Sequence, residues 1–142
     1  MGANAVKSHG TIIARQANGT GAFVDIGELG DITPPPLTRN PIEALSQTDN
    51  DDYYVVGMRR TGEMTFGINF NPTLAAHDHV AGLIYSWEQG YNDGWRVTYP
   101  DADASTLIFS GYITNIAPSA PIDGILSASV TIRPTGAKAF EN

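Results

Sequence analysis

Cysteine is absent from this chain of 142 residues. Disulfide staples, zinc–thiolate sites and thiol nucleophiles are thereby excluded. Positive charge is scarce: eight Lys and Arg face fifteen Asp and Glu, for a net charge of −7. Nonspecific nucleic-acid binding neutralises phosphates with cations, so this balance argues against it, and DNA meeting the protein should be repelled. Charge of either sign is thin, at 16% of residues. The usual share is about 25%, and the deficit points to surface kept for self-contact. No run approaches the roughly 20 apolar residues of a membrane-spanning helix. The opening Met1-Gly2-Ala3-Asn4-Ala5-Val6 has no apolar signal core. Val6 also stands where a myristoylation signal needs Ser or Thr. Synthesis and use in the cytosol are the expectation.

What is present suits one globular domain over residues 1–142, with 42% hydrophobic residues. A domain of this size buries roughly 68–70% of its unfolded surface and needs no staples. Residues 1–10 lack periodicity and read as an arm. A strand follows over residues 11–17, then Asn18-Gly19-Thr20-Gly21, a hairpin turn in which Asn-Gly supplies positive φ. The return strand covers residues 22–26. Residues 30–56 read as a long loop: Pro34, Pro35, Pro36 and Pro41 remove backbone donors, and Asp49-Asn50-Asp51-Asp52 follows. Loops beyond about 12–15 residues in compact domains are usually functional or disordered.

The clearest strand is residues 63–71. Met64, Phe66, Ile68 and Phe70 fall on one face, and Glu63, Thr65, Gly67, Asn69 and Asn71 on the other. A helix is expected over residues 72–89, with Asn71 as N-cap, Pro72 at the first position and Gly90 as C-cap. Ala76 with Val80, Leu83, Ile84 and Trp87 forms its core stripe. Strands at residues 95–99, 107–116 and 125–133 complete the set, and residues 134–142 form a tail. About six strands and one flanking helix imply a mainly β protein, a β-sandwich or partly open barrel.

Catalytic and ligand motifs fail one by one, so no enzyme and no cofactor is expected. On a helix, His77 and His79 project about 200° apart and cannot share an ion as an i, i+4 pair could. Asp49, Asp51 and Asp52 lack the glycine and distal glutamate of a calcium loop. Asp101 and Asp103 read as a turn rather than an acid–base pair. Gly19-Thr20-Gly21 begins like a dinucleotide loop, but Val24 replaces the third glycine and no helix follows. Asn18-Gly19-Thr20 spells a glycosylation acceptor, irrelevant without secretion, and no Ser-centred elbow is present.

Three segments carry a family resemblance spanning about residues 10–136. The first is Ile26-Gly27-Glu28-Leu29-Gly30-Asp31-Ile32-Thr33, leading into the proline and acidic loop. The second runs over residues 57–72, with Gly62-Glu63 opening the alternating strand and Asn69-Phe70-Asn71-Pro72 closing it. The third joins Phe109-Ser110-Gly111-Tyr112-Ile113-Thr114, Ala117-Pro118-Ser119-Ala120-Pro121-Ile122-Asp123-Gly124 and Ser127-Ala128-Ser129-Val130-Thr131-Ile132-Arg133-Pro134-Thr135-Gly136. Together they resemble the major tail tube proteins of long-tailed, non-contractile bacteriophages. The extra C-terminal immunoglobulin-like domain of some members is not expected here.

The resemblance implies a β-sandwich with a flanking helix, assembled into hexameric rings. Those rings stack into a tube around a tape measure protein, between tail terminator and baseplate or tip proteins. Strands of all subunits would then join in a ring barrel, assembled in the host cytoplasm and carried in the virion tail. DNA would pass through the lumen during ejection without specific binding, and no membrane is involved. In that light Pro34, Pro35, Pro36, Asp49, Asp51 and Asp52 are candidates for inter-ring contact, with residues 34–52 ordering when rings stack. Glu63, Thr65, Asn69, Ser127, Ser129 and Thr131 are the lumen candidates, and Arg133 fits outside the bore. Two alternatives stand beside this reading. One is the tube protein of a related secretion system. The other is a monomeric carbohydrate-binding β-sandwich using Trp95, Tyr91 and Tyr99.

Overall fold

The structure, a computed structural model, describes residues 5–141. In chain order it contains β1 (Ile12–Gln16), β2 (Val24–Asp25), β3 (Leu29–Thr33), β4 (Leu37–Glu43), β5 (Tyr54–Thr61) and β6 (Met64–Asn69). Helix α1 (Leu83–Gln89) follows, then β7 (Asp93–Thr98), β8 (Thr106–Ser119) and β9 (Ser127–Glu141). Seven strands form one antiparallel sheet in the order β2-β1-β7-β8-β9-β6-β3, and β4 and β5 form a separate two-stranded ribbon.

The large sheet curls until its inner face meets itself. Phe66 on β6 and Trp95 on β7 are separated by two intervening strands, yet their ring centroids lie 6.4 Å apart. Neighbouring strands sit about 4.8 Å apart, so a flat sheet would hold these rings at more than twice that distance. Alternation along the strands supplies the inward set: Met64, Phe66 and Ile68 from β6, Val130 and Ile132 from β9, and Trp95 and Val97 from β7, all buried. Leu83 of α1 joins this core, while Phe70 packs on it half-buried. The sheet stays open rather than closing into a barrel, because β2 and β3 at its two ends are not hydrogen-bonded to each other.

Three sequence expectations are corrected. Residues 30–56 are not a continuous loop: all of β3 but Leu29, the whole of β4 and the first three residues of β5 lie within them. Pro41 is accommodated because β4 is an edge strand of a ribbon and its pairing slips between Arg39 and Pro41. Residues 134–141 are not a tail but the second half of β9, paired with β8 as far as Glu141 opposite Thr106. The helix is only seven residues long and begins at Leu83, not at residue 72.

Side chains win the intervening backbone donors from the helix. Asn71 Oδ1 accepts the Thr73 N–H and hydroxyl, and Asp78 Oδ1 accepts the N–H groups of Val80, Ala81 and Gly82. The Ala81 N–H foremost holds the Asp78 carboxyl below its ordinary range. A two-turn helix presents only Leu83 and Ser86 to the core, so Val80 and Trp87, expected inside, are 67% and 53% exposed. Ile84 is half-buried. Gly90 is the expected C-cap, in the left-handed region at φ 68°.

The turn before α1 closes tightly on Gly82, where an added Cβ would meet the Asp78 nitrogen at 2.4 Å and the Ala76 and His77 carbonyl carbons at 2.7 Å. Gly82→Ala is therefore expected to cost about 1–3 kcal/mol, as overpacking does, because backbone atoms cannot swing aside. Urea unfolding should show the lowered midpoint, and an unchanged midpoint would refute the crowding.

Candidate assembly surfaces

The two polar faces singled out in the sequence become one surface. Registry between β6 and β9 sets Thr65 opposite Thr131, Gly67 opposite Ser129 and Asn69 opposite Ser127. On the far side of β9, Asn115, Ala117 and Ser119 of β8 face the same three residues. On the far side of β6, Thr33 of β3 faces Thr65. A bulge makes the β8 alignment possible: Ile113 and Asn115 oppose successive residues Ile132 and Thr131, so one extra residue re-phases the strand. Thr114, at the bulge, donates its hydroxyl to the Thr131 carbonyl at 3.3 Å.

The surface is thus built of small hydroxyl, amide and glycine positions across four strands. Charge enters at its ends. Glu63 is exposed just before β6, and Arg133 is exposed opposite Tyr112. Arg133, expected off this surface, shares the alternation of Thr131 and Ser129 and therefore lies on the same side of the sheet.

This four-stranded part has two unpaired edges. One is β3, the last strand in the order, which pairs only with β6. The other is the second half of β8: β7 covers residues 106–111 only, so among the described residues 112–119 pair with β9 alone. Such edges are templates for another chain.

The ribbon is the second surface. Every residue of β4 is exposed, and only Thr61, at the root of β5, is buried. Leu37, Ile42, Leu45, Tyr53, Tyr54, Val55, Val56 and Met58 are all at least 47% exposed. The inter-ring candidates split between its two ends. Pro34, Pro35 and Pro36 lie at the root, where the Pro36 carbonyl accepts the Gly62 N–H at 3.0 Å. Asp49, Asp51 and Asp52 are exposed at the tip, where an Asp49 carboxylate oxygen accepts the Ser46 N–H at 2.7 Å.

Away from these surfaces, between β1 and β7, lies an ionic node absent from the sequence reading. Asp93 is fully buried and forms an ion pair with Arg15 at 3.1 Å. Its other oxygen accepts the Asn18 N–H at 2.8 Å. Arg15 also donates to the Ser86 hydroxyl and the Ala81 carbonyl. One guanidinium thereby ties β1 and β7 to the turn before α1 and to its middle. No local pattern could have disclosed the pair, whose members stand 78 residues apart.

His77 is buried and stacked on Phe70 at 6.1 Å, with Nδ1 accepting the Asn71 N–H. His79 is exposed. No group of three or more metal-ligating side chains occurs among the described residues. Trp95 is fully buried, with its indole N–H on the Gly111 carbonyl at 3.2 Å. It therefore cannot belong to the carbohydrate platform of the binding-module alternative, and Tyr91 instead packs edge-on against Tyr85.

A family model of the phage tail tube, lambda-like, matches residues 4–142. The chain is 24% identical to Structural protein 3 of Pseudomonas phage PAJU2, over 94% of this chain and 92% of that one. Among solved structures, a subunit in the virion of a native gene transfer agent particle is similar at TM-score 0.74 and 15% identity, covering 97% of this chain and all of the other. The tail of an empty GTA particle, refined with C6 symmetry, is similar at TM-score 0.73 and 18% identity, covering 92% and 95%.

Proposed function

The chain belongs to the lambda-like phage tail tube family and is a structural subunit of the virion tail, and from that premise we propose that it works as hexameric rings stacked into a DNA-conducting tube. The observation that carries this is the four-stranded polar surface with its two unpaired edges. The β3 edge of one subunit pairs with residues 112–119 of its neighbour, so that each subunit adds four strands to a ring barrel. Closure pairs both of these edges, which a monomer leaves open. Six subunits per ring is the count in keeping with the C6 symmetry of the similar GTA tail.

In this arrangement the surface bearing Thr65, Asn69, Ser127, Ser129 and Thr131 lines the bore. Screening reaches only about 8 Å at physiological salt, so only bore-lining charges act on passing DNA. Hydroxyls and amides dominate this surface, with Arg133 and Glu63 only at its ends, so few fixed cations hold phosphates and DNA slides. The tube encloses a tape measure protein during assembly in the host cytoplasm, ends on terminator and baseplate or tip proteins, and performs no catalysis.

Negative-stain electron microscopy of the protein before and after concentration tests the arrangement. Hollow tubes with six-fold end views are expected, and rings of another order would refute the hexamer. Ser129→Lys with Thr131→Lys should leave tubes intact yet slow DNA release from virions at low salt, with the defect shrinking as salt rises. Unchanged release would move this surface out of the bore.

A further inference from the structure

Half of the chain's eight cations converge on one place. Arg39, Arg59, Arg60 and Lys138, with Leu37 and Phe140, line a cleft of about 620 Å³ between the ribbon root and the end of β9. No acidic residue lines it. Arg39 and Arg59 are direct cross-strand partners, and like charges placed so are mutually destabilising. The ion pair of Arg15 with Asp93 is the one found among the described residues, so none of these four cations has a carboxylate within ion-pair distance. In a chain of net charge −7, this is a local excess of positive charge held open to solvent.

The complementary feature sits at the other end of the same ribbon. Asp49, Asp51 and Asp52 are exposed at the tip, beyond a strand pair rich in exposed apolar side chains. The two ends cannot meet within one chain, since Tyr54 to Arg59 alone extends about 17 Å along the strand. A ribbon acidic at its tip and basic at its root is built for head-to-tail repetition, in which an identical contact recurs along an axis.

We infer that the acidic ribbon tip of each subunit seats in the basic cleft of a second copy in the adjoining ring, so that stacking is an electrostatic head-to-tail contact of this chain with itself. The seating rests on the stacked-ring reading above. It gives the opposed Arg39 and Arg59 the carboxylates they lack and covers Leu37 and Phe140, which are 56% and 58% exposed in the single chain. Complementary charge also fixes partner and polarity, because tip against tip and cleft against cleft both repel.

The cysteine-free chain allows a direct test. Asp51→Cys with Arg59→Cys in one chain, assembled and mildly oxidised, is expected to give a ladder of disulfide-linked chains of two, three and more copies. An intramolecular bridge is ruled out because the Cα atoms would have to approach within about 7 Å. In parallel, reversing the tip (Asp49, Asp51 and Asp52→Lys) or the cleft (Arg39, Arg59 and Arg60→Glu) should each cut tube yield at least about tenfold, since like charges juxtaposed at an interface cost several kcal/mol. Both reversals in one chain should restore it. Circular dichroism of the monomers confirms folding in each case. Tubes of the double-cysteine chain that give no ladder, with tube yield unmoved by either reversal, would overturn the seating while leaving the tube standing. A wild type that never forms rings or tubes would remove the tube reading and the seating with it. Duplex DNA captured by the monomer at physiological salt, and lost on cleft reversal, would reassign the cleft to nucleic acid.

Discussion

Removing the ribbon abolishes the tube and leaves the subunit folded: that is the expected result of replacing residues 38–60 with a two-residue turn. Leu37 and Thr61 are cross-strand partners at the root, so a short turn joins them without moving β3 or β6. No ribbon residue beyond Thr61 contributes to the buried core. The shortened chain should therefore keep its thermal midpoint within a few degrees, since surface changes of about ±0.5 kcal/mol are typical away from cores and caps.

Assembly is a different matter. A lone two-stranded hairpin is marginal in water. This one nevertheless displays Ile42, Tyr54, Val55, Val56 and Met58 with about half or more of their surface exposed. Apolar surface of that extent is kept where another chain covers it. Removing it deletes both the buried area and the acidic tip, so tube yield should fall to nothing rather than by a fraction. Electron microscopy beside a thermal melt separates the cases. Tubes from the shortened chain would dispose of the ribbon's role, and a collapsed melt would show that it supports the fold instead.

The second large effect lies inside the subunit. Asp93→Ala should destabilise by about 3–5 kcal/mol, the usual cost of orphaning one member of a buried ion pair. Domains of this kind hold only about 5–15 kcal/mol in total, so the variant should sit near the edge of unfolding. Arg15 is 10% exposed at its side chain and would keep its charge with no carboxylate beside it. The Asn18 N–H in the left-handed turn would also lose its acceptor. Arg15→Met should cost a similar amount, for the mirrored reason that Asp93 is left alone. The double variant Arg15→Met with Asp93→Leu should cost less than either single change, since no buried charge remains. Urea unfolding of all four proteins makes the comparison. A loss below about 1 kcal/mol for Asp93→Ala would mean that water already reaches the carboxylate, as it does at surface pairs.

How much was legible beforehand follows from the range of each interaction. Alternation along residues 63–71 marked which side chains turn inward, and the structure buries Met64, Phe66 and Ile68 accordingly. Asn18-Gly19 marked a turn, and both residues adopt positive φ. Gly90 marked a helix end. Each of these signals rests on a few adjacent residues. The helix start was misread because helical spacing of apolar residues ignores the competing side-chain acceptors Asn71 and Asp78. The ribbon was misread because prolines and acids resemble loop punctuation, and β4 buries nothing that would impose a two-residue period.

The sequence by itself determined a cysteine-free, mainly β chain with scant positive charge, one helix and two polar strand faces, because composition and alternation are local properties. Only the tertiary structure decided that those two faces are one surface, that β8 and β3 are left with free edges, and that Arg15 meets Asp93. It also decided that Arg39, Arg59, Arg60 and Lys138 gather at one cleft. Each of these depends on which distant strands lie side by side and in what register. Pairing energy over the whole curled sheet sets that arrangement, and no single segment carries it.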